Sequence, residues 1–377
     1  MPNVLLAARN IGALAARRIS RAAERLSGRK ARARRQRRAE RDGEQAAFAA
    51  GEDDVLREVA ALARGSRPIV VGPWLSEVGF EVLYWVPFVR WVAAEFGLDA
   101  ERLVVVSRGG AASWYGDIAS RYVDIFDLLP PGEFASRNRQ RIADEAGGQK
   151  QMGPADLDRE IVTRARASLR FDDPALLHPS LMYRLFRQFW AGNRSLDSVV
   201  QRLRFVAPRV DRSVALPVLP PRLVAVKLYT GTALPDSPDN RAALRAWIRQ
   251  VADDQPVVLL DSPPALDDHT DFGVDVARPV VTLRGSMTAA NNLAVQTEVL
   301  RRAERFITTC GGLAWLAPML GVDTVALYSD DRFLATHLYL ARHVYRRMAS
   351  AGTFATLDVR GMSALGALQE QGSRVVR

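Results

Sequence analysis

The stretch TTCGGLAWLAPMLGVDTVALYS, Thr308 to Ser329, predicts a strand end, a glycine turn, a short helix, a second turn and another strand. Two glycines, Gly311 and Gly312, stand where the buried strand stops and the helix begins. Because glycine has no β-carbon, another backbone or a ligand can approach closely there. The first turn of a helix also offers unpaired N–H groups and a positive dipole end, which suit a phosphate. The same residues suit an ordinary tight turn, so the choice between a phosphate site and a turn depends on the rest of the sequence.

A βαβ pattern stands near the beginning of the body of the chain. RPIVVGPWL, residues 67–75, predicts an apolar strand, and residues 79–97 predict a helix. RLVVVSRGG, residues 102–110, predicts a second strand that opens into a glycine loop. A strand, a helix and a strand of these lengths indicate a parallel sheet.

A second series of the same kind follows a proline-rich break at residues 216–223. Its strands RLVAVKLY, PVVLLDS, RFITT and DTVALYS are continuous apolar runs, as buried parallel strands require. We therefore predict an α/β protein with two Rossmann-like domains, residues 66–215 and 222–377, facing across a cleft. In open parallel sheets, ligands bind beyond the carboxyl ends of the strands.

The positive charge of the chain is concentrated in its first 41 residues. The whole chain of 377 residues has a net charge of +10, and residues 1–41 hold 13 Lys and Arg against 2 acids. Residues 1–50 are predicted to be a basic extension that begins as an amphipathic helix. Three interpretations stay open: binding to an anionic membrane face, a disordered solubilising tail, and, less favoured, nucleic-acid binding.

Cysteine and histidine are scarce. Cys310 is the single cysteine, so no internal disulfide can form, and it is expected to be a small buried residue. The four histidines are scattered without zinc-site spacing. The sequence DDHTD, residues 267–271, could hold a divalent ion, but it is typical of a solvated loop. We therefore expect no metal site and no bound cofactor.

The glycine stretch resembles the donor-binding segment of the GT-B glycosyltransferases. Its nearest pattern is that of heptosyltransferase-like enzymes, roughly D-T-G-x-x-H-x-A-A-x-L-G-x-P-T-V-x-L. Trp315 stands where that pattern has its histidine, and Thr308 or Thr309 where it has its aspartate. The N-terminal half of the same family has an acid six residues before a proline, which Glu81 and Pro87 reproduce here.

The resemblance implies sugar transfer from a nucleotide-diphosphate sugar. Such a reaction needs a base for the acceptor hydroxyl, and Glu81 or Glu77 is the candidate. The alternative for both is an acid at a helix N-terminus, which the helix dipole stabilises. Enzymes of this family use basic residues and N–H groups, without a metal, to hold the leaving diphosphate.

Binding residues are expected at strand ends. For the donor diphosphate and nucleotide these are Gly311, Gly312, Leu313, Thr309, Lys227 and Arg284. For the acceptor they are Arg108, Trp114, Tyr115 and Asp117, with plain loop packing as the alternative.

The sequence thus predicts a glycosyltransferase of cell-surface polysaccharide synthesis, metal-independent, with a glycan or lipid-linked acceptor. We expect it in the cytoplasm, peripheral at the inner membrane face through residues 1–41. The alternatives are an epimerase-like enzyme of the same fold and a non-enzymatic nucleotide- or nucleic-acid-binding protein acting through the basic tail.

Overall fold

The structure, a computed structural model, describes residues 50–144, 149–261, 269–272, 280–332 and 334–361. The chain divides into two compact units, residues 1–56 and residues 57–377. In the first unit, residues 50–56 are helical; the predicted basic helix lies outside the described residues. Both β-sheets and the cavity between them belong to the second unit.

The first half of this unit is built on a parallel sheet of four strands. In chain order these are β1 (Ile69–Val71), β2 (Leu103–Ser107), β3 (Arg121–Asp124) and β4 (Ala175–Leu177). Their order in the sheet is β3-β2-β1-β4, and every pairing is parallel. β1 and β2 are buried at every position, as their continuous apolar sequences predict.

Helices cover this sheet and fill the connections. They are α1 (Val78–Phe80), α2 (Val86–Glu95), α3 (Ala112–Tyr115), α4 (Ile125–Leu128), α5 (Pro131–Asp144), α6 (Asp156–Leu169), α7 (Pro179–Trp190) and α8 (Asp197–Val200). A π-helical turn, Glu81–Trp85, joins α1 to α2, and a 3₁₀ turn, Ala100–Arg102, precedes β2. The predicted helix over residues 79–97 is confirmed, apart from this π turn.

The second half contains a parallel sheet of six strands. They are β5 (Val224–Lys227), β6 (Val257–Leu259), β7 (Val281–Thr282), β8 (Arg305–Thr309), β9 (Asp323–Tyr328) and β10 (Phe354–Asp358). Their order is β10-β9-β8-β5-β6-β7, again with parallel pairings throughout. The predicted fold class, two α/β halves with parallel sheets, is confirmed.

The helices of this half are α9 (Pro238–Asp254), α10 (Asn292–Leu300) and α11 (Ala335–Tyr345), with a 3₁₀ turn at Arg284–Ser286. After β8 the sequence predicts one helix, but the structure has two 3₁₀ turns, Gly312–Trp315 and Ala317–Leu320. Pro318 lies in the first turn of the second segment, where its missing N–H is tolerated.

The two halves are packed together through α10. All nine of its residues are buried. The N–H groups of Leu293 and Ala294, in its first turn, donate to the carbonyl oxygen of Gly109 at 2.8 and 3.2 Å. Trp114 Nε1 donates to Thr297 Oγ1 at 3.0 Å. The first turn of α10 is therefore occupied by the loop that follows β2.

Candidate active site

A cavity of about 800 Å³ lies between the two halves, at the carboxyl ends of their strands. The first half contributes residues that follow β1 and β2, together with Lys150 and Trp190. The second half contributes residues that follow β5, β8 and β9, together with His337 from α11. This is the edge at which parallel α/β sheets bind their ligands.

The glycine turn after β8 forms part of the wall. Gly311 has φ +132° and Gly312 has φ +49°, values that favour glycine. A β-carbon on either residue would stand 3.0 Å from Tyr229 Oη. Within the described residues, no backbone carbonyl accepts a hydrogen bond from the N–H of Gly311, Gly312 or Leu313. The three predicted residues line the cavity, and a short 3₁₀ turn rather than a long helix follows them.

Thr309, which was also predicted to bind the donor, lines the cavity, and its hydroxyl is bonded to Tyr229. Its hydroxyl donates to the carbonyl oxygen of Tyr229 at 2.8 Å and accepts from the N–H of Tyr229 at 3.0 Å. In this geometry the hydroxyl has no proton left for a phosphate. Thr309 joins the end of β8 to the chain leaving β5, and it holds Tyr229 against the two glycines.

Both predicted donor-side cations line the cavity. Lys227, at the end of β5, donates from Nζ to the carbonyl oxygen of Leu260 at 2.9 Å and lies 3.6 Å from Asp271 Oδ1. Arg284 Nε lies 3.2 Å from Asp261 Oδ2. Its side chain is 60% exposed. Lys227 is thus the more enclosed charge, and Arg284 stands at the edge of the cavity.

Of the two predicted bases, Glu77 lines the cavity and Glu81 does not. Glu77 is the N-cap residue of α1, directly after the loop that leaves β1. Its side chain makes no capping hydrogen bond. Glu77 thus stands at a helix N-terminus, as the alternative describes, and also lines the cavity.

Glu81 is completely buried beneath the cavity wall. Its Oε1 accepts hydrogen bonds from Ser107 Oγ at 2.6 Å and Tyr115 Oη at 2.7 Å. Its Oε2 has no hydrogen-bond partner among the described residues. Burial raises the pKa of Glu81 to about 7, although both hydrogen bonds act in the opposite direction.

The predicted acceptor loop is mostly packing. Arg108 lines the cavity and donates to the carbonyl oxygen of Ser76 at 2.9 Å. Trp114 and Tyr115 are buried outside the cavity lining. Asp117 is paired with Arg90, with 2.8 Å between Oδ2 and Nε. Trp114, Tyr115 and Asp117 therefore hold the first half together in this structure, and the loop-packing alternative describes them.

An aromatic wall on the first half was not predicted from the sequence. Phe80, Tyr84 and Trp190 line the cavity together with Lys150 and His337. The Phe80 and Tyr84 rings each lie within 5.3 Å of the Trp190 ring, edge to face. Tyr84 Oη is 2.7 Å from His337 Nδ1, and burial lowers the pKa of His337 to about 4. At neutral pH this histidine is uncharged.

One sequence signal could have pointed to this wall. Of the 52 basic residues only three are lysines, and Lys30 lies in the tail. The other two, Lys150 and Lys227, both line the cavity. A body that otherwise uses arginine thus places its two lysines at the same site.

The loop that presents Glu77 is anchored from below by Gln151, which has no exposed surface. Its Oε1 accepts from the N–H of Leu75 at 2.9 Å. Its Nε2 donates to Pro73 O at 2.9 Å and to Asp158 Oδ1 at 2.7 Å. Glu77 and Lys150 are therefore attached to one buried hydrogen-bond network.

Among the described residues, no cluster of three His, Cys, Asp or Glu side chains could hold a metal ion. Asp267 and Asp268 of the DDHTD sequence lie outside those residues. None of the described helices is both long and apolar enough to cross a membrane.

Fold and cavity together define a two-domain α/β protein with a ligand cleft between parallel sheets. Solved structures similar to it include a family 9 glycosyltransferase from Veillonella parvula, with 13% identity over 80% of this chain and 89% of that one, at a TM-score of 0.41. The E. coli ADP-heptose LPS heptosyltransferase II is 14% identical over 81% and 99% of the two chains, at 0.42. A UDP-N-acetylglucosamine 2-epimerase from Listeria monocytogenes, described as putative, is 14% identical over 77% and 92%, at 0.31. No protein-family model and no curated protein sequence matches this chain.

Proposed function

We propose that this protein is a glycosyltransferase that moves a sugar from a nucleotide-diphosphate sugar to an acceptor bound in the cleft. One observation carries the proposal. A single cavity is lined by the glycine-turn residues Gly311, Gly312 and Leu313, by Lys227 and by Glu77. Backbone N–H groups and an ammonium suit a departing diphosphate, and a carboxylate in the cleft suits the removal of a proton from an attacking hydroxyl.

The residues divide the reaction between the two halves. Glu77 takes the proton of the acceptor hydroxyl while the acceptor oxygen bonds to the anomeric carbon of the sugar. The bond from that carbon to the diphosphate oxygen breaks, and the negative charge that develops is met by the glycine-turn N–H groups and Lys227. We assign the base to Glu77, because Glu81 is buried away from the cavity.

Binding of the nucleotide is tested first, with the full chain and UDP, GDP, ADP, dTDP and, as a control, CMP. A ligand at a hundredfold excess over its Kd stabilises the native state by about 2.7 kcal/mol, which raises the melting temperature. We expect one diphosphate to do so selectively. If none does, the assignment of the glycine turn as a diphosphate site is wrong.

The base is tested with Glu77→Gln and Glu81→Gln, using the sugar conjugate of the nucleotide that binds. We expect Glu77→Gln to abolish transfer to acceptor while nucleotide binding persists, and Glu81→Gln to retain transfer. The reverse result would return the base to Glu81. Conversion of the donor sugar without any acceptor would instead identify an epimerase-like enzyme.

For the acceptor we propose a glycan or lipid-linked glycan of the cell surface, reached at the inner membrane face. Support comes from the charge of residues 1–41, which contain 13 basic residues and only 2 acidic ones. Each basic residue near an anionic surface contributes about 1 kcal/mol of binding. The full chain should float with phosphatidylglycerol vesicles, and high salt should release it from them. A chain starting at residue 42 should not bind the vesicles. Equal binding by both chains would contradict this placement.

A further inference from the structure

Five lysine or arginine side chains line the cavity, and four of them already contact a protein acceptor. Arg108 donates to Ser76 O, Lys227 to Leu260 O, Arg284 pairs with Asp261, and Arg332 Nε lies 2.9 Å from Asp330 Oδ2. Among the described residues, no carboxylate or other hydrogen-bond acceptor is in contact with the Lys150 ammonium. Within the part of the chain that the structure describes, Lys150 is thus the cavity cation whose ammonium contacts aromatic rings rather than a hydrogen-bond acceptor.

The ammonium of Lys150 lies instead against two aromatic rings, 4.9 Å from the centroid of Trp190 and 5.2 Å from that of Phe80. Ring faces attract a cation, but they do not neutralise it. Burial lowers the pKa of Lys150, and the charge of the nearby Glu77 acts in the opposite direction. A partly buried charge in this setting gains most from an anion that a ligand brings.

We propose that Lys150 binds an anionic group, a phosphate or a carboxylate, on the acceptor. The inference rests on the proposed function and names the acceptor class for it. Trp190, Phe80 and Lys150 all belong to the first half, whereas the N–H groups and Lys227 proposed for the donor diphosphate belong to the second. An acceptor anion held here lies beside Glu77, the proposed base, with the ammonium between two negative groups that would otherwise repel.

The position of Lys150 is fixed independently of the ligand. Its neighbour Gln151 is fully buried and bonded to Leu75, Pro73 and Asp158. The aromatic rings that flank its ammonium pack on one another edge to face. A preformed cation of this kind selects ligands by charge, because an uncharged group would leave it without a partner.

The test uses the full chain and two small probes, methyl phosphate and acetate, titrated with and without the nucleoside diphosphate that binds. Tryptophan fluorescence reports on binding through Trp190. We expect wild-type protein to bind a probe, Lys150→Gln to weaken that binding about tenfold or more, and Lys150→Arg to retain it. Preference for methyl phosphate indicates the phosphate of a lipid-linked acceptor, and preference for acetate indicates an acidic sugar.

Lys227→Gln is the matched control, because it removes the other lysine of the cavity. It should weaken binding of the nucleoside diphosphate and leave probe binding unchanged. Equal probe binding by wild type and Lys150→Gln, or no binding by wild type, overturns the proposal. Displacement of the probe by the nucleoside diphosphate also overturns it, because Lys150 would then belong to the donor site. The probe titration without nucleotide still tests Lys150 if no nucleoside diphosphate binds, so the two proposals fail separately.

Discussion

Gly79 of the first half lies directly against Gly312 of the second, so that a β-carbon on Gly79 would stand 3.0 Å from the Gly312 nitrogen. The same β-carbon would be 3.2 Å from Trp315 Nε1. Glycine on both sides of this contact lets the start of α1 approach the glycine turn. The contact therefore sets the distance between the proposed base and the proposed diphosphate site.

Gly79→Ala should widen this contact by a few tenths of an ångström. We expect nucleoside diphosphate affinity to fall about three- to tenfold, with a loss of about 1–2 kcal/mol in the free energy of unfolding from overpacking. Calorimetric titration and urea unfolding measure the two effects. Gly116→Ala is the control, because the atom nearest to its β-carbon would be Cδ of the flexible Arg209 side chain at 3.3 Å, and the Ser113 and Ala112 carbonyl oxygens would lie at ordinary contact distances of 3.8 and 3.9 Å. Unchanged affinity in Gly79→Ala would mean that this contact does not shape the nucleotide site.

The glycine turn is tested with a pair of variants that carry similar backbone strain. Gly312 has φ +49° and lies in the cavity wall, whereas Gly321 has φ +83° and ends the second 3₁₀ segment outside the cavity. Alanine at either position adopts a left-handed conformation at about 1–2 kcal/mol. We expect both variants to lose stability, Gly312→Ala the more because its β-carbon would also stand 3.0 Å from Tyr229 Oη, but only Gly312→Ala to lose nucleoside diphosphate binding. If both variants lost nucleoside diphosphate binding, the loss would follow from reduced folding stability and not from the glycine turn itself.

The sheets could be predicted because buried parallel strands are continuous apolar runs that end in turn residues. β1, β2, β5 and β8 each fall within a run of this kind. The glycine turn could be predicted equally well. Two consecutive glycines after a buried strand indicate a backbone conformation that other residues adopt only with strain. Local sequence carries both signals.

The first-half wall could not be predicted in the same way. Lys150 and Trp190 lie far from β1 in sequence and reach the cavity only through tertiary packing around Gln151 and α7. The acid-to-proline spacing likewise placed Glu81 on a helix, but it did not show which face of that helix lines the cavity. The π turn at Glu81–Trp85 buries all five of its residues. Spacing alone does not reveal that turn.

Cys310 should be chemically inert in the native protein. Burial raises the pKa of its thiol to about 12, so the reactive thiolate is essentially absent at neutral pH. With a single cysteine in the chain, an aromatic disulfide reagent should release no chromophore from folded protein and one equivalent after unfolding. Rapid release of one equivalent by folded protein would show that the region around β8 opens to solvent.

Glu81 should make the stability of the protein depend on pH. In the unfolded chain its pKa has the ordinary value of 4.5, and in the folded protein it is raised to about 7. Between these values the folded state keeps a proton that the unfolded state has lost, so stability falls as pH rises and levels off above about 7. At about 1.36 kcal/mol per pH unit, the interval corresponds to roughly 3 kcal/mol.

Glu81→Gln should remove this dependence, because the amide stays neutral and its oxygen still accepts from Ser107 and Tyr115. The difference in unfolding free energy between variant and wild type cancels other titrating groups. We expect it to move in favour of the variant by up to about 3 kcal/mol from pH 4.5 to pH 8. A difference that stays constant over that range would mean that the Glu81 carboxylate is solvated in the folded protein. Glu81 would then again be a candidate for the catalytic base.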